Sequence, residues 1–162
     1  MSTTLPDHDA HARGTSPAAA SPRTGGIDPR GPQFAAALTS AVLIVVLLLP
    51  SPANVVLLAA QAVIFAVGAV RGVQATPYAW LFRTVVRPRL APPTEWEDPQ
   101  PPRFAQAVGL GFTGVGLVAL LAGATVLGQV AVGAALVAAL LNAVFAFCLG
   151  CEVYLLLRRA RA

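Results

Sequence analysis

Four long stretches of this sequence carry almost no charge: Phe34 to Leu49, Ala53 to Val70, Phe104 to Leu127, and Val130 to Leu157, the last interrupted only by Glu152. A hydrocarbon core of about 30 Å is crossed by about 20 apolar residues of α-helix, and within it every backbone N–H and C=O has to be bonded inside the segment. The four runs therefore predict four transmembrane helices. Composition excludes a soluble fold: 56% of the 162 residues are hydrophobic and 11% charged, far more apolar surface than one core of this size hides. Pro50 and Pro52 in "PSPAN" mark a tight connection between the first two runs. The third run ends at Gly123 or continues to Gly128.

Residues 1–27 are built of Ser, Thr, Pro, Gly, Ala and scattered charges, which predicts a disordered tail. His8 and His11 alternate there with Asp7 and Asp9, but nothing would hold these side chains in the fixed geometry a metal needs, so they read as solvated. The tail lacks the apolar stretch of a signal peptide, and the first run is expected to act as an uncleaved signal anchor.

All eleven basic residues are arginines. Arg13, Arg23 and Arg30 precede the first run; Arg71, Arg83, Arg87, Arg89 and Arg103 lie at or between the second and third; Arg158, Arg159 and Arg161 follow the fourth. The other two connections have none. Because cytoplasmic loops retain positive charge, the N-terminus, the central loop 71–103 and the basic tail 158–162 are all expected in the cytoplasm, which four spans satisfy. The net charge of +4 then reads as a signal for topology and lipid headgroups. Nucleic acid is set aside as a partner, since no aromatic-rich basic groove or binding motif accompanies the arginines.

The chain also repeats itself. "DPRGPQFAAA" from Asp28 and "DPQPPRFAQA" from Asp98 match at Asp, two Pro, Phe and two Ala, each just before an odd-numbered run. "QAVIF" from Gln61 and "NAVFA" from Asn142 form a weaker second match. The expected fold is an all-α membrane protein with its four-helix domain over 28–157, built as two parallel helical-hairpin repeats. Each Asp is expected to accept hydrogen bonds from free N–H groups at a helix start, next to a proline that fixes φ.

In the central loop, Tyr78, Trp80, Leu81, Phe82, Val85 and Val86 stand beside Arg83, Arg87 and Arg89, the composition of a short interfacial helix with its aromatics in lipid. The proline-rich remainder, with Glu95, Glu97 and Asp98, reads as a solvated loop. Within the spans, Gly109, Gly111, Gly114, Gly116 and Gly123 offer small-residue surfaces for helix contact, and Gln61 and Asn142 sit where they could hydrogen-bond across the bundle.

The candidate site is "FCLGCE", residues 147–152, which holds both cysteines. Counted from Val130 at about 1.5 Å per residue, Cys148 lies about 27 Å and Cys151 about 32 Å along the fourth helix, at its cytoplasmic edge. Spacing i and i+3 places both sulfurs on one helix face, and Gly150 between them leaves room for a second surface. Such a pair is a redox unit when the second thiol resolves a mixed disulfide made by the first. In the cytoplasm it would rest as the dithiol. With no further Cys or His in the spans, one chain does not complete a four-ligand zinc site, although two protomers of a homo-oligomer would. No cofactor is implied. Glu152 is costly at the end of a membrane helix unless paired or wet, and Arg71, at the matching end of the second span, is its expected ion partner. Beside the thiols, Arg71 would favour a thiolate and Glu152 would move its proton. The alternative also stands: two small residues that pack, and a structural ion pair.

"DPRGPQFAAAL", "RPRLAPPTEWEDPQPPRFAQAVG" and "LNAVFAFCLGCEVY" together resemble domain-of-unknown-function family 4395, small bacterial integral membrane proteins common in actinobacteria. The resemblance covers Gly26 to Arg158 and is most specific at Pro101–Gln106 and Phe147–Glu152. It implies the bacterial inner membrane as location. Members are often encoded beside thioredoxin-like or sulfurtransferase proteins, which implies thiol or sulfur chemistry with Cys148 and Cys151 as the working residues. Two readings follow: a membrane thiol-disulfide or sulfur-relay component, or a non-catalytic subunit or small transporter whose cysteines only pack.

Overall fold

The computed structural model describes residues 25–161. His8, His11, Asp7 and Asp9 lie outside them. Six α-helices follow one another: α1 (Arg30–Leu48), α2 (Ala53–Arg71), α3 (Pro77–Leu81), α4 (Gln100–Leu121), α5 (Thr125–Phe145) and α6 (Leu149–Ala160). Four of them, α1, α2, α4 and α5, are long and apolar enough to cross a membrane. They pack as a ring, α1 on α2, α2 on α4, α4 on α5 and α5 back on α1. Every arginine from Arg30 to Arg103 sits at or beside one end of this bundle. The connections at the far end, Leu49–Pro52 and Ala122–Ala124, have no charge. In the second of these Gly123 takes φ +77°, a left-handed turn that glycine adopts without the Cβ penalty.

Toward the far end the interior is an apolar plug of Leu43, Val46, Leu58, Val132 and Ala135. Behind it lies a polar layer. Ser40, Gln61 and Thr113 are all buried, each about 12 Å from the far end of its own helix at 1.5 Å per residue. The two hydroxyls are satisfied within their helices, Ser40 Oγ donating to Ala36 O at 2.9 Å and Thr113 Oγ1 to Gly109 O at 2.8 Å. Gln61 is bonded differently: it accepts from the Tyr78 hydroxyl at 2.7 Å, and its Nε2 is left without a partner. Asn142 does not reach it.

Helix ends at the arginine-rich face are closed by side chains from neighbouring helices. The last carbonyls of a helix have no intrahelical donor, which is expensive away from water. Arg103 on α4 donates to Ala69 O and Val70 O of α2, both at 2.7 Å, and Gln33 on α1 donates to Ala143 O of α5 at 3.1 Å. Both helices that follow an Asp-Pro pair start in the same way: Asp28 Oδ1 accepts from Arg30 N at 3.1 Å and Asp98 Oδ1 from Gln100 N at 2.9 Å. Close helix approach uses only part of the glycine set. A Cβ at Gly109 would stand 2.8 Å from the Phe65 ring and one at Gly116 3.1 Å from Val132, whereas Gly111 and Gly114 face open space.

Four expectations need correction. The fourth run is two helices: α5 stops at Phe145 and α6 begins at Leu149, because Ala146 turns left-handed at φ 54° and Cys148 is extended. The chain is ordered from before Asp28, since Ile27 is 2% exposed and pairs with Glu97 through two backbone hydrogen bonds of 2.9 and 3.0 Å. In the central segment, Tyr78 and Phe82 turn inward: Phe82 is buried, 5.8 Å from the Phe34 ring, while Trp80 and Val85 remain exposed. Thr76 starts this segment as the N-cap of α3, accepting from Ala79 N at 3.2 Å, with Pro77 at the first helical position. The fourth concerns Arg71 and is described with the site.

Candidate functional site

Cys148 and Cys151 form a disulfide across the first turn of α6, with 5.2 Å between their Cα atoms. The expected pairing on one helix face is thus replaced by a helix start. α5 closes at Ala146, whose N–H returns to Asn142 O at 3.0 Å while Phe147 N–H returns to Leu141 O at 3.3 Å. A left-handed alanine costs about 1–2 kcal/mol relative to a helical one, so the break opposes local preference. Cys148 then serves as N-cap of α6: its carbonyl accepts from Glu152 N at 3.0 Å, and its Sγ accepts from Cys151 N at 3.3 Å. The sulfur therefore occupies the place where Ser or Asp normally receives a free N–H of the first turn.

That first turn is seated on α4. A Cβ at Gly150 would lie 2.7 Å from both Cα and Cβ of Ala105, closer than any side chain tolerates, so only glycine permits the contact. One turn further, Tyr154 packs on Phe104 with ring centroids 5.7 Å apart. Both cysteines are half-buried and Glu152 is exposed. The carboxylate of Glu152 sits in the first turn, where the partial positive charge of the helix end favours an anion by about 0.3–1 kcal/mol.

Arg71 is not brought to this site. It lies exposed in the last turn of α2 beside Arg103 and Gln100 at the rim of a shallow cavity, and among the described residues the ion pair within 4.0 Å is Arg30–Asp28. The expected Arg71–Glu152 pair is therefore absent. Its physical reason is the helix break, which sets Gly150 against Ala105 of α4, whereas α2 ends against the first turn of α4 through Arg103. Phe34, Phe82 and the Asp28–Arg30 pair form a separate cluster on the other side of the bundle end. There burial opposes ionisation of Asp28, but the hydrogen bonds and charge of Arg30 outweigh it and hold the carboxyl below its ordinary range. Glu97, bridged to Ile27, is pushed up by burial and by the nearby Glu95.

Three features of the site escaped sequence reasoning: the left-handed Ala146, Cys148 as a cap, and Ala105 as the partner of Gly150. One signal was available. Up to Phe145 the run is apolar on all sides, but after Cys148 it becomes one-sided, with Leu149, Val153, Leu156 and Ala160 in helical register on one stripe and Cys151, Glu152, Arg158 and Arg159 outside it. A change from uniform to one-sided hydrophobicity marks the end of one helix and the start of another.

No curated protein and no solved structure matches the chain. A family model does, over residues 27–159, from the strand-like contact of Ile27 through the cysteine turn to the arginines of α6. The chain belongs to the family described as Domain of unknown function (DUF4395).

Proposed function

We propose that this protein is a membrane thiol-disulfide component that exchanges electrons with a soluble dithiol partner through Cys148 and Cys151. The observation that carries the reading is the disulfide across the first turn of α6, with Cys148 as its N-cap. When the pair is reduced, a thiolate at Cys148 faces the free N–H groups and positive end of α6, which favour it over the thiol. The Cys148 thiolate attacks a disulfide of the partner and releases one partner thiolate, which takes up a proton. Cys151 then loses its proton and attacks Cys148 Sγ, releasing the second partner thiolate. The partner gains two electrons and two protons, and the Cys148–Cys151 disulfide closes; run in reverse, the same steps oxidise a partner dithiol. Glu152, next in the chain and exposed, is the group we assign to accept the Cys151 proton.

The arginine distribution supports a cytoplasmic position for both termini and the central segment, and hence a cytoplasmic partner of thioredoxin-like or sulfurtransferase type. The shared Asp-to-backbone bonds at Asp28 and Asp98 are consistent with two parallel hairpin repeats. The test is capture. In a Cys151→Ser chain the mixed disulfide cannot be resolved, so Cys148 should accumulate a reducible adduct with a dithiol protein, and Cys148→Ser should not. Glu152→Gln should keep the adduct but slow its resolution in the wild-type pair. If neither single variant traps any thiol while Cys148→Ala with Cys151→Ala loses folded protein, the cysteines are packing residues and the proposal fails.

A further inference from the structure

Among the long helices of the described residues α6 is the most one-sided, and its apolar side remains substantially exposed. Projected at 100° per residue, Leu149, Val153, Leu156 and Ala160 fall within one narrow stripe. Leu149, Val153 and Leu156 are 39%, 46% and 59% exposed. Gly150 and Tyr154, about a quarter-turn away, make the contact with α4. Cys151 and Arg158 stand opposite the stripe, and Glu152 and Arg159 flank it on the side away from α4; Leu157 lies between the stripe and α4, and Leu155 alone among the leucines falls on the polar arc.

The level at which α6 starts is the second observation. Ala105, on which Gly150 sits, is about 24 Å from the far end of α4 at 1.5 Å per residue. An unbroken α5 would have carried Gly150 about 37 Å from its own far end, beyond a hydrocarbon core of about 30 Å. The break at Ala146 thus returns the chain to the edge of the apolar layer. From there α6 is about 18 Å long, too short to cross again. The exposed side chains that lead into it, Val144, Phe145 and Phe147, continue the lipid-facing surface of α5. Arg158, Arg159 and Arg161 close the helix with no acid after Glu152.

We infer that α6 is an interfacial helix bound to the bilayer surface: the stripe from Leu149 to Ala160 lies in the acyl-chain boundary, and the terminal arginines bind anionic lipid phosphates. Cys151 is thereby held on the face turned to water. Only this last consequence rests on the thiol-exchange reading, and it makes the pair's partner a water-soluble one; the placement of α6 stands without it.

The test leaves the disulfide intact. In a Trp80→Phe, Trp96→Phe background of the full chain, single tryptophans are placed at 149, 152, 153, 156, 158, 159 and 160. The variants are reconstituted into vesicles of phosphatidylcholine alone or mixed with phosphatidylglycerol. Quenching by brominated lipid should be strong at 149, 153, 156 and 160, intermediate at the flanking positions 152 and 159, and lost at 158, where aqueous acrylamide should quench instead. Phosphatidylglycerol should sharpen the contrast, and Arg158→Gln, Arg159→Gln and Arg161→Gln together should abolish that effect. Acrylamide access at every position would overturn the inference, because α6 would then project into water. Shielding of the stripe from both quenchers would overturn it too, since a second copy or another protein would cover the face. Neither outcome reads thiol chemistry, so failure here is distinct from failure of the capture experiment.

Discussion

Gly150→Ala puts the seating of the cysteine turn to the test. The added Cβ would stand 2.7 Å from Ala105 Cα and Cβ, where ordinary carbon contacts lie at about 3.5–4.0 Å. Neither atom is the tip of a flexible side chain, so α6 has to move off α4 by about 1 Å. Overpacking of this kind costs about 1–3 kcal/mol, or about 5- to 150-fold in the docking equilibrium. Alanine's better helix propensity works the other way by at most about 1 kcal/mol. Gly114→Ala on α4 is the control without a clash, because a Cβ there meets nothing within 4 Å. Amide hydrogen exchange in detergent or nanodiscs reads the net effect: α6 amides should exchange faster in Gly150→Ala, by up to about 150-fold and by less to the extent that helix propensity offsets the clash, and should be unchanged in Gly114→Ala. Ala105→Gly added to Gly150→Ala should recover part of the protection, since it removes one of the two clashing atoms and leaves the other. Equal protection of α6 in Gly150→Ala and the wild type would refute the packing argument.

Three further outcomes follow from the same geometry. Ala146→Gly relieves a left-handed alanine and should raise the melting temperature, the gain bounded by about 1–2 kcal/mol, whereas Ala146→Val should lower it. Tyr78→Phe leaves both polar atoms of buried Gln61 without partners and should cost about 1–3 kcal/mol in unfolding by dodecyl sulfate; adding Gln61→Leu should return most of it. Because Asp28 is held below the unfolded carboxylate value, its stabilisation is complete at neutral pH. It is lost as pH falls from that value through the folded one, so acid should loosen the Ile27–Glu97 bridge in the wild type, and Asp28→Asn should remove this pH dependence.

The four helices long and apolar enough to cross a membrane are legible because length and the absence of charge are properties of the sequence alone. Pro50 and Pro52 fixed the first connection, and the two Asp-Pro pairs marked the starts of α1 and α4, where each aspartate bonds the backbone two residues on. Ala146 was not legible. Nothing in alanine's chemistry favours φ 54°; the turn is accompanied by tertiary contacts, Gln33 on the Ala143 carbonyl of α5 and Ala105 beneath Gly150, which join residues far apart in the chain. The same limit explains Arg71. Matching depth along two helices suggested a pair with Glu152, but depth says nothing about position around the ring, and α4 is where α2 and α6 each dock. The composition of the central segment points Tyr78 to lipid, yet the inward turn at Thr76 gives its hydroxyl a buried acceptor on α2.

The central claim is that Cys148 and Cys151 act as one redox unit. A direct measurement equilibrates the full chain in nanodiscs against glutathione buffers of graded poise, quenches with acid, alkylates free thiols and weighs the intact protein. The account predicts two populations only, with neither thiol or both thiols modified, exchanging in a single two-electron transition. It also predicts that in the reduced chain Cys148 is alkylated before Cys151. Singly modified protein throughout the series, or a pair that stays as two independent thiols at every poise, would contradict it.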